Sequence, residues 1–274
     1  MSKSARLRSD DGRAIISLVN ESRELGIDWK GWQEHWTGGL LKLIDADLGL
    51  IGEMADAHKT EFRMIGPPMI QSALGFLFNP DRIMEAIERY GAIPNASKFV
   101  AEYMGRLRKD DGIALSNRDF YQDREWRSSA DMEIMGEAFG TDASMICMHF
   151  IKLAGNDRSL NVTISRAKGR KNFSARDCTT VREAVAAITP LIGGPLARFA
   201  DPSPADLAPR VRQVLACFLE GDGDKQVAAR LGISVHTVNQ YAKVIFQHFG
   251  VRSRTELLAR WIRRGWGNKF SWVE

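Results

Sequence analysis

Residues 224–250 read DKQVAARLGISVHTVNQYAKVIFQHFG, and they hold two helical patterns separated by Leu231-Gly232-Ile233-Ser234. In the first pattern Val227, Ala228 and Leu231 share a face; Asp224 is placed to cap its start and Gly232 to close it. In the second, Ser234 is the cap, and Val238, Tyr241, Ala242, Ile245 and Phe249 recur at helical spacing up to Gly250. Burying that apolar face turns His236, Asn239, Gln240, Lys243 and Gln247 outward. A short helix, a turn with Gly and a second amphipathic helix make the helix-turn-helix layout.

The flanks extend this to four helices. Pro209 opens a pattern with Val211, Val214, Leu215 and Phe218 on one face, ending at Gly221. Ser253 and Glu256 form an S-x-x-E capping box ahead of a fourth helix carrying Leu257, Leu258, Trp261 and Ile262. So small a module cannot bury all four on one narrow face. Trp261 and Ile262 would also suit plain core, but the favoured expectation puts Leu258, Trp261 and Ile262 at a contact between two copies, a closed homodimer matching half-sites about 10 bp apart.

The outward residues of the second helix suit base edges. Asn and Gln form paired hydrogen bonds with adenine, and Lys reaches guanine O6 and N7. Ser234 and Thr237 stand at the helix N-terminus, where amides and hydroxyls meet phosphates. The plainer alternative, a solvated polar face, would suit an arbitrary amphipathic helix better; charge weighs against it here. From Leu207 to Glu274 there are 11 Lys and Arg against 5 Asp and Glu, a net +6, which leaves −2 of the chain's +4 on residues 1–206. A basic end on a slightly acidic body fits a polyanion-binding module joined to something else.

The run LAPRVRQVLACFLEGDGDKQVAARLGISVHTVNQYAKVIFQHFGVRSRTELLARW resembles the DNA-binding domain of LuxR-type (GerE-like) bacterial transcription regulators. KQVAARLGISVHTV and HFGVRSRTELL are its most specific parts, and the likeness runs from Leu207 to roughly Arg264. It implies double-stranded DNA as partner, with the third helix of the module in the major groove and the fourth pairing two copies. By position, Asn239, Gln240 and Lys243 would face bases, with Thr237, Lys225 and Arg254 near phosphates; the helix pattern itself adds His236 to the base-facing set and Ser234 to the phosphate set. The sequence departs from that family in four places. Ala208 and Val211 replace the usual Thr and Glu at the first helix, Asn239 stands where Lys is usual, and Tyr241 where His is usual.

Ahead of the module, Gly193-Gly194-Pro195 through Asp201-Pro202-Ser203-Pro204-Ala205-Asp206 breaks every pattern and reads as a linker. The organisation expected is an α+β domain over 1–193, a linker over 194–206, an all-α four-helix helix-turn-helix domain over 207–267, and a tail over 268–274. Within the first domain, helical patterns occupy Arg13 to Leu25, Trp32 to Ile44, Pro80 to Tyr90, Ser97 to Arg108 and Asp177 to Leu191. Strand-like runs lie at Leu48 to Met54, Phe62 to Ile65, Ser144 to Lys152 and Leu160 to Arg166, the last two joined through Ala154-Gly155-Asn156-Asp157. Trp126-Arg127-Ser128, that hairpin and Phe173-Ser174-Ala175-Arg176-Asp177 loosely resemble GAF- or PAS-like sensory domains. The resemblance implies a small-molecule or protein signal; a ligand-independent dimerisation or interaction platform is the competing reading.

Other chemistry finds little support. A phosphoacceptor receiver needs alternating strands and helices with Asp at strand ends, whereas Asp10-Asp11 and Asp110-Asp111 follow polar or basic residues. Tyr121, Asp123 and Trp126 are residue types of an acyl-homoserine-lactone sensor but do not align with its pattern; Trp29, Trp32 and Trp36 recur at helical spacing and read as packing. Cys147 and His149 share a strand face without a third ligand or orienting acid, and His58 stands apart, so neither an enzyme nor a metal site is expected, and no cofactor. Arg166, Lys168, Arg170 and Lys171 read as a solvated turn with a minor chance of touching an anion. Three separated Cys, no signal peptide and no membrane-length apolar run fit a cytoplasmic protein.

Overall fold

The computed structural model describes residues 6–56, 63–73, 85, 98–152 and 158–266. The helix read over Pro80 to Tyr90 (residue 85 apart), the Ala154–Asp157 connection, His58 and the 268–274 tail lie outside them. The chain divides into two compact units, Met1–Asn20 with Gln33–Pro190, and Glu21–Trp32 with Leu191–Glu274.

The first unit is α+β. Helices α1 (Ser9–Glu24) and α2 (Trp29–Ile44) lead into strands β1 (Leu48–Ala55) and β2 (Arg63–Ser72). Helix α3 (Lys98–Leu107), the short strand β3 (Ala114–Ser116), α4 (Asp123–Arg127) and α5 (Ala130–Phe139) follow. Strands β4 (Thr141–Phe150) and β5 (Arg158–Ala167) and helix α6 (Ala175–Ile188) complete it. The sheet is antiparallel throughout, ordered β2-β1-β5-β4-β3. It is not the alternately wound parallel sheet of a receiver.

Strand β2 runs well past the Phe62 to Ile65 pattern because Gly66-Pro67-Pro68 hides its alternation. At an edge, prolines need donate nothing outward, and the irregularity is absorbed opposite Ile51 and Glu53 of β1, where the register shifts. Met54, Ile146 and Met148 on one sheet face pack with Tyr103, Met104, Leu107, Phe120, Tyr121 and Trp126. Ser174 and Asp177 form a full capping box at α6: Ser174 Oγ accepts from the Asp177 amide at 3.2 Å, and Asp177 Oδ2 accepts from the Ser174 amide at 2.8 Å.

The second unit is all-α, with α7 (Pro209–Leu219), α8 (Asp224–Leu231), α9 (Val235–Phe249) and α10 (Arg254–Arg264). Their core holds Val211, Val214, Leu215, Phe218, Val227, Val238, Ile245, Phe249, Leu257 and Trp261. Two segments outside the four helices belong to the same unit. Residues 194–206, read as a linker, are packed chain in which Leu196 and Ala197 are fully buried. The turn between α1 and α2 lies against them: the Ala197 amide donates to the Gly26 carbonyl at 2.6 Å, and the Trp32 indole to the Ala197 carbonyl at 2.8 Å. Ile27 enters the unit's core, and Trp29 meets Phe199 edge-on at 4.9 Å.

Candidate nucleic-acid interface

Helix α9 is set by its two ends. Ser234 is extended (φ −74°, ψ 152°) and its hydroxyl accepts from the Thr237 amide at 3.0 Å, satisfying one of the orphan donors of the first turn. At the other end Gly250 takes φ 60°, and Gly232, which closes α8, takes φ 64°. Only glycine adopts that left-handed geometry without cost, so the two glycines fix where each helix stops.

Between those ends the two faces differ sharply. Val238 and Ile245 are fully buried, Phe249 nearly so, and Ala242 at 9%. His236, Asn239, Gln240, Lys243 and Gln247 are exposed. Gln240 Nε2 lies 3.5 Å from His236 Nε2, so these two touch along the helix surface. Val244, at 46% exposed, borders the polar face, and Val235 stands at its start at 39%. The sequence reading passed over both valines because each falls off the main apolar stripe. A polar face with donors and acceptors of both kinds, backed by an apolar seam, can hydrogen-bond base edges and methyl groups alike.

The remaining predicted contacts divide. Lys225 is exposed near the start of α8. Thr237 is half-buried, its hydroxyl 2.9 Å from that of Ser234. Arg254 is largely used inside the unit: Nη1 donates to the Asp222 carbonyl at 2.9 Å, Nη2 pairs with Asp224, and the guanidinium lies 3.9 Å over the Phe218 ring. With Asp224 taken by Arg254, the cap of α8 is Gly223, and Gln226 Oε1 accepts from the Gly223 amide at 2.6 Å. The capping box at α10 is also altered: Ser253 Oγ accepts from the Glu256 amide, but the Glu256 carboxylate reaches the Arg252 amide at 2.8 Å.

Of the three residues expected between copies, Ile262 is 77% exposed and Leu258 is half-buried. Trp261 is 6% exposed and committed to its own unit, with ring centroids 6.1 Å from Phe249 and 5.0 Å from Trp266. A single apolar face on α10 gave no means of telling inward from outward. Arg230 bridges Glu220 and Asp222, and those hydrogen bonds hold its guanidinium above its ordinary range.

In the first unit, burial drives the Cys147 thiol far above its ordinary range, which leaves it without thiolate character. An acid does stand beside His149: Asp111 Oδ2 is 3.1 Å from Nδ1. Sequence could not bring these together across 38 positions. Among the described residues no group of His, Cys, Asp and Glu is arranged to hold a metal ion. The basic turn is also not simply solvated, since Arg166 is buried and Arg170 pairs with Asp45 and Asp47.

Four helices, a capped recognition-type helix with one polar face, and a basic balance define a helix-turn-helix DNA-binding domain. Residues 205–261 match the model of the bacterial regulatory proteins, luxR family (GerE), so the C-terminal part of this chain is similar to the DNA-binding domain of that family. That family is one of transcription regulators, not of enzymes. The response regulator Rre1 of Synechocystis sp. strain PCC 6803 is 33% identical over 87 residues, 31% of this chain; the match spans 38% of that relative's length. Among solved structures, Escherichia coli SdiA aligns with a TM-score of 0.37 at 11% identity, covering 86% of this chain and 91% of that one. SdiA in complex with octanoyl-rac-glycerol aligns with a TM-score of 0.39 at 13% identity, covering 94% and 97%. No helix among the described residues is long and apolar enough to cross a membrane.

Proposed function

We propose that this protein is a cytoplasmic transcription regulator that binds specific DNA sites as a homodimer, under the control of a small-molecule or protein signal received by its first unit. One observation carries the reading most directly: α9 is pinned by Val238, Ile245 and Phe249 while its opposite face is polar and open. In this assignment His236, Asn239, Gln240 and Lys243 read bases, and Lys225 and Thr237 lie near phosphates with the Ser234-capped helix start. Arg254 holds α8 in place for that docking. Ile262, with Leu258 beside it, supplies the apolar contact between two copies. The first unit is assigned as a GAF- or PAS-like sensor from its single antiparallel sheet with helices packed on it.

The test is mapping of bound sites followed by titration of Asn239→Ala on a recovered site and on random duplex. Loss of about 1–3 kcal/mol on the specific site alone is expected. An equal loss on both DNAs removes Asn239 from the base-reading set, and recovery of no specific site overturns the regulator reading. Ile262→Glu is expected to shift sedimentation toward monomer; an unchanged dimer would place the contact elsewhere.

A further inference from the structure

The first unit carries a cleft of about 710 Å³ whose walls are unlike the rest of its slightly acidic body. Six of the side chains lining it are Arg or Lys and two are Asp. Counting Asp11 and Asp47, which pair with Arg176 and Arg170, the acids rise to four and the cleft remains positive.

The cations fall into two groups with different work. Arg166 is saturated: Nε donates to the Asp45 carbonyl, Nη1 to those of Lys171 and Asn172, and Nη2 to the Ile44 carbonyl and Asp177. It supplies a buried positive charge, and it fixes the backbone of the turn that carries its neighbours. The other group keeps donors in reserve. Arg170 places Nη1 on Asp47 at 2.7 Å and Nη2 on Asp45 at 2.5 Å, while Arg176 holds Asp11 through Nε and Nη2. Each therefore retains guanidinium protons beyond those the carboxylates take. Lys171 is exposed with its ammonium bonded to no described residue; the Arg8 amide donates to Asp11 Oδ2 at 3.0 Å, while its guanidinium faces that carboxylate only through space. The start of α6, with Ser174 and Asp177 on the cleft wall, adds the positive end of a 14-residue helix, while the Ser174 and Asp177 amides stay in their own capping box.

We propose that this cleft binds the phosphate of a small phosphorylated metabolite, with Lys171, Arg8 and the reserve donors of Arg170 and Arg176 on the phosphate oxygens. Carboxylate-anchored guanidinium groups are pre-organised, so little side-chain entropy is lost on binding. The volume is that of a nucleotide-sized ligand rather than a bare ion, and its position on a concave wall suits a small molecule better than a duplex. As an account of the signal, this rests on the regulator reading; as a binding site it does not.

The test uses the full chain in titration calorimetry with inorganic phosphate, a nucleoside monophosphate, the matching nucleoside and a short random duplex. The variant is Arg8→Gln/Lys171→Gln, which leaves every carboxylate pair of the cleft intact. Expected are binding of phosphate and monophosphate, none of the nucleoside, and affinity at least about tenfold lower in the variant, as loss of charge-assisted hydrogen bonds requires. The variant's unliganded melting temperature should be unchanged. Failure of both phosphates to bind at millimolar concentration, or equal affinity in the variant, overturns the proposal. A variant that loses only duplex affinity also overturns it, making the cleft a second DNA contact. Monophosphate binding without any change in DNA affinity upholds the site and removes its regulatory role.

Discussion

Gly26→Ala tests how the second unit is assembled. A Cβ at Gly26 would fall deep inside the Pro195 carbonyl oxygen, 3.2 Å from its carbon and 2.9 Å from the Arg23 carbonyl oxygen. These are backbone atoms, so no rotamer change relieves the overlap. Relief requires the turn and residues 195–197 to part by about 1 Å, the shortfall from ordinary van der Waals contact. The hydrogen bond from the Ala197 amide to the Gly26 carbonyl, now 2.6 Å, would then exceed the useful range, and the Trp32 bond to the Ala197 carbonyl would be strained with it. Overpacking of this kind costs about 1–3 kcal/mol. Hydrogen exchange of the full chain is the suitable readout, because it reports each unit separately. Protection at Ala197 should fall by a factor of about 5 or more, with melting of the second unit shifted downward. Unchanged protection at Ala197 and unchanged melting would refute the packing of residues 21–32 into this unit.

Gly105 makes the opposite prediction: a Cβ there meets nothing within 4 Å, on the helix α3, so Gly105→Ala should stabilise the protein by about 0.5–1 kcal/mol in urea unfolding. Lys225→Ala should lower the salt dependence of DNA binding by about one phosphate contact, while Arg254→Ala should lower thermal stability and leave that slope alone; a reduced slope in Arg254→Ala would return it to the phosphate-contacting set. Asp11 is held below its ordinary range, first by its hydrogen bonds with Arg176, against the opposing effect of burial. A carboxyl with a depressed folded value contributes stability above its unfolded value and loses it as pH falls through the folded one. Asp11→Asn should therefore cost roughly 1–3 kcal/mol at neutral pH, and the gap to the parent should close progressively below about pH 5. A gap independent of pH would rule out the ion pair as its source.

The DNA-binding unit was legible where structure is local. Helical periodicity marked Val238, Ala242, Ile245 and Phe249 as the inner face, and cap chemistry placed Ser234, Gly232 and Gly250 at the ends; all of these depend on residues within a few positions of one another. The sheet was partly legible: β1, β4 and β5 announce themselves, β2 is masked by Gly66-Pro67-Pro68, and three-residue β3 is too short to carry a pattern. Helices α4 and α5 passed unread because α4 is only five residues long and α5 has a weak amphipathic pattern.

By itself, then, the sequence determined the helix-turn-helix layout of the module and the face of α9 that is open. Tertiary structure alone decided what each long or charged side chain is used for. Trp261 turned inward because Phe249 and Trp266 make a pocket for it, while Ile262, one residue on, was left outside. Arg254 and Arg166 were drawn into the fold because carbonyls and carboxylates far away in sequence converge on them. A flexible side chain carries no record of its partner; the partner exists only once distant segments are brought together, and that is also why residues 21–32 could not be assigned to the DNA-binding unit before the fold was known.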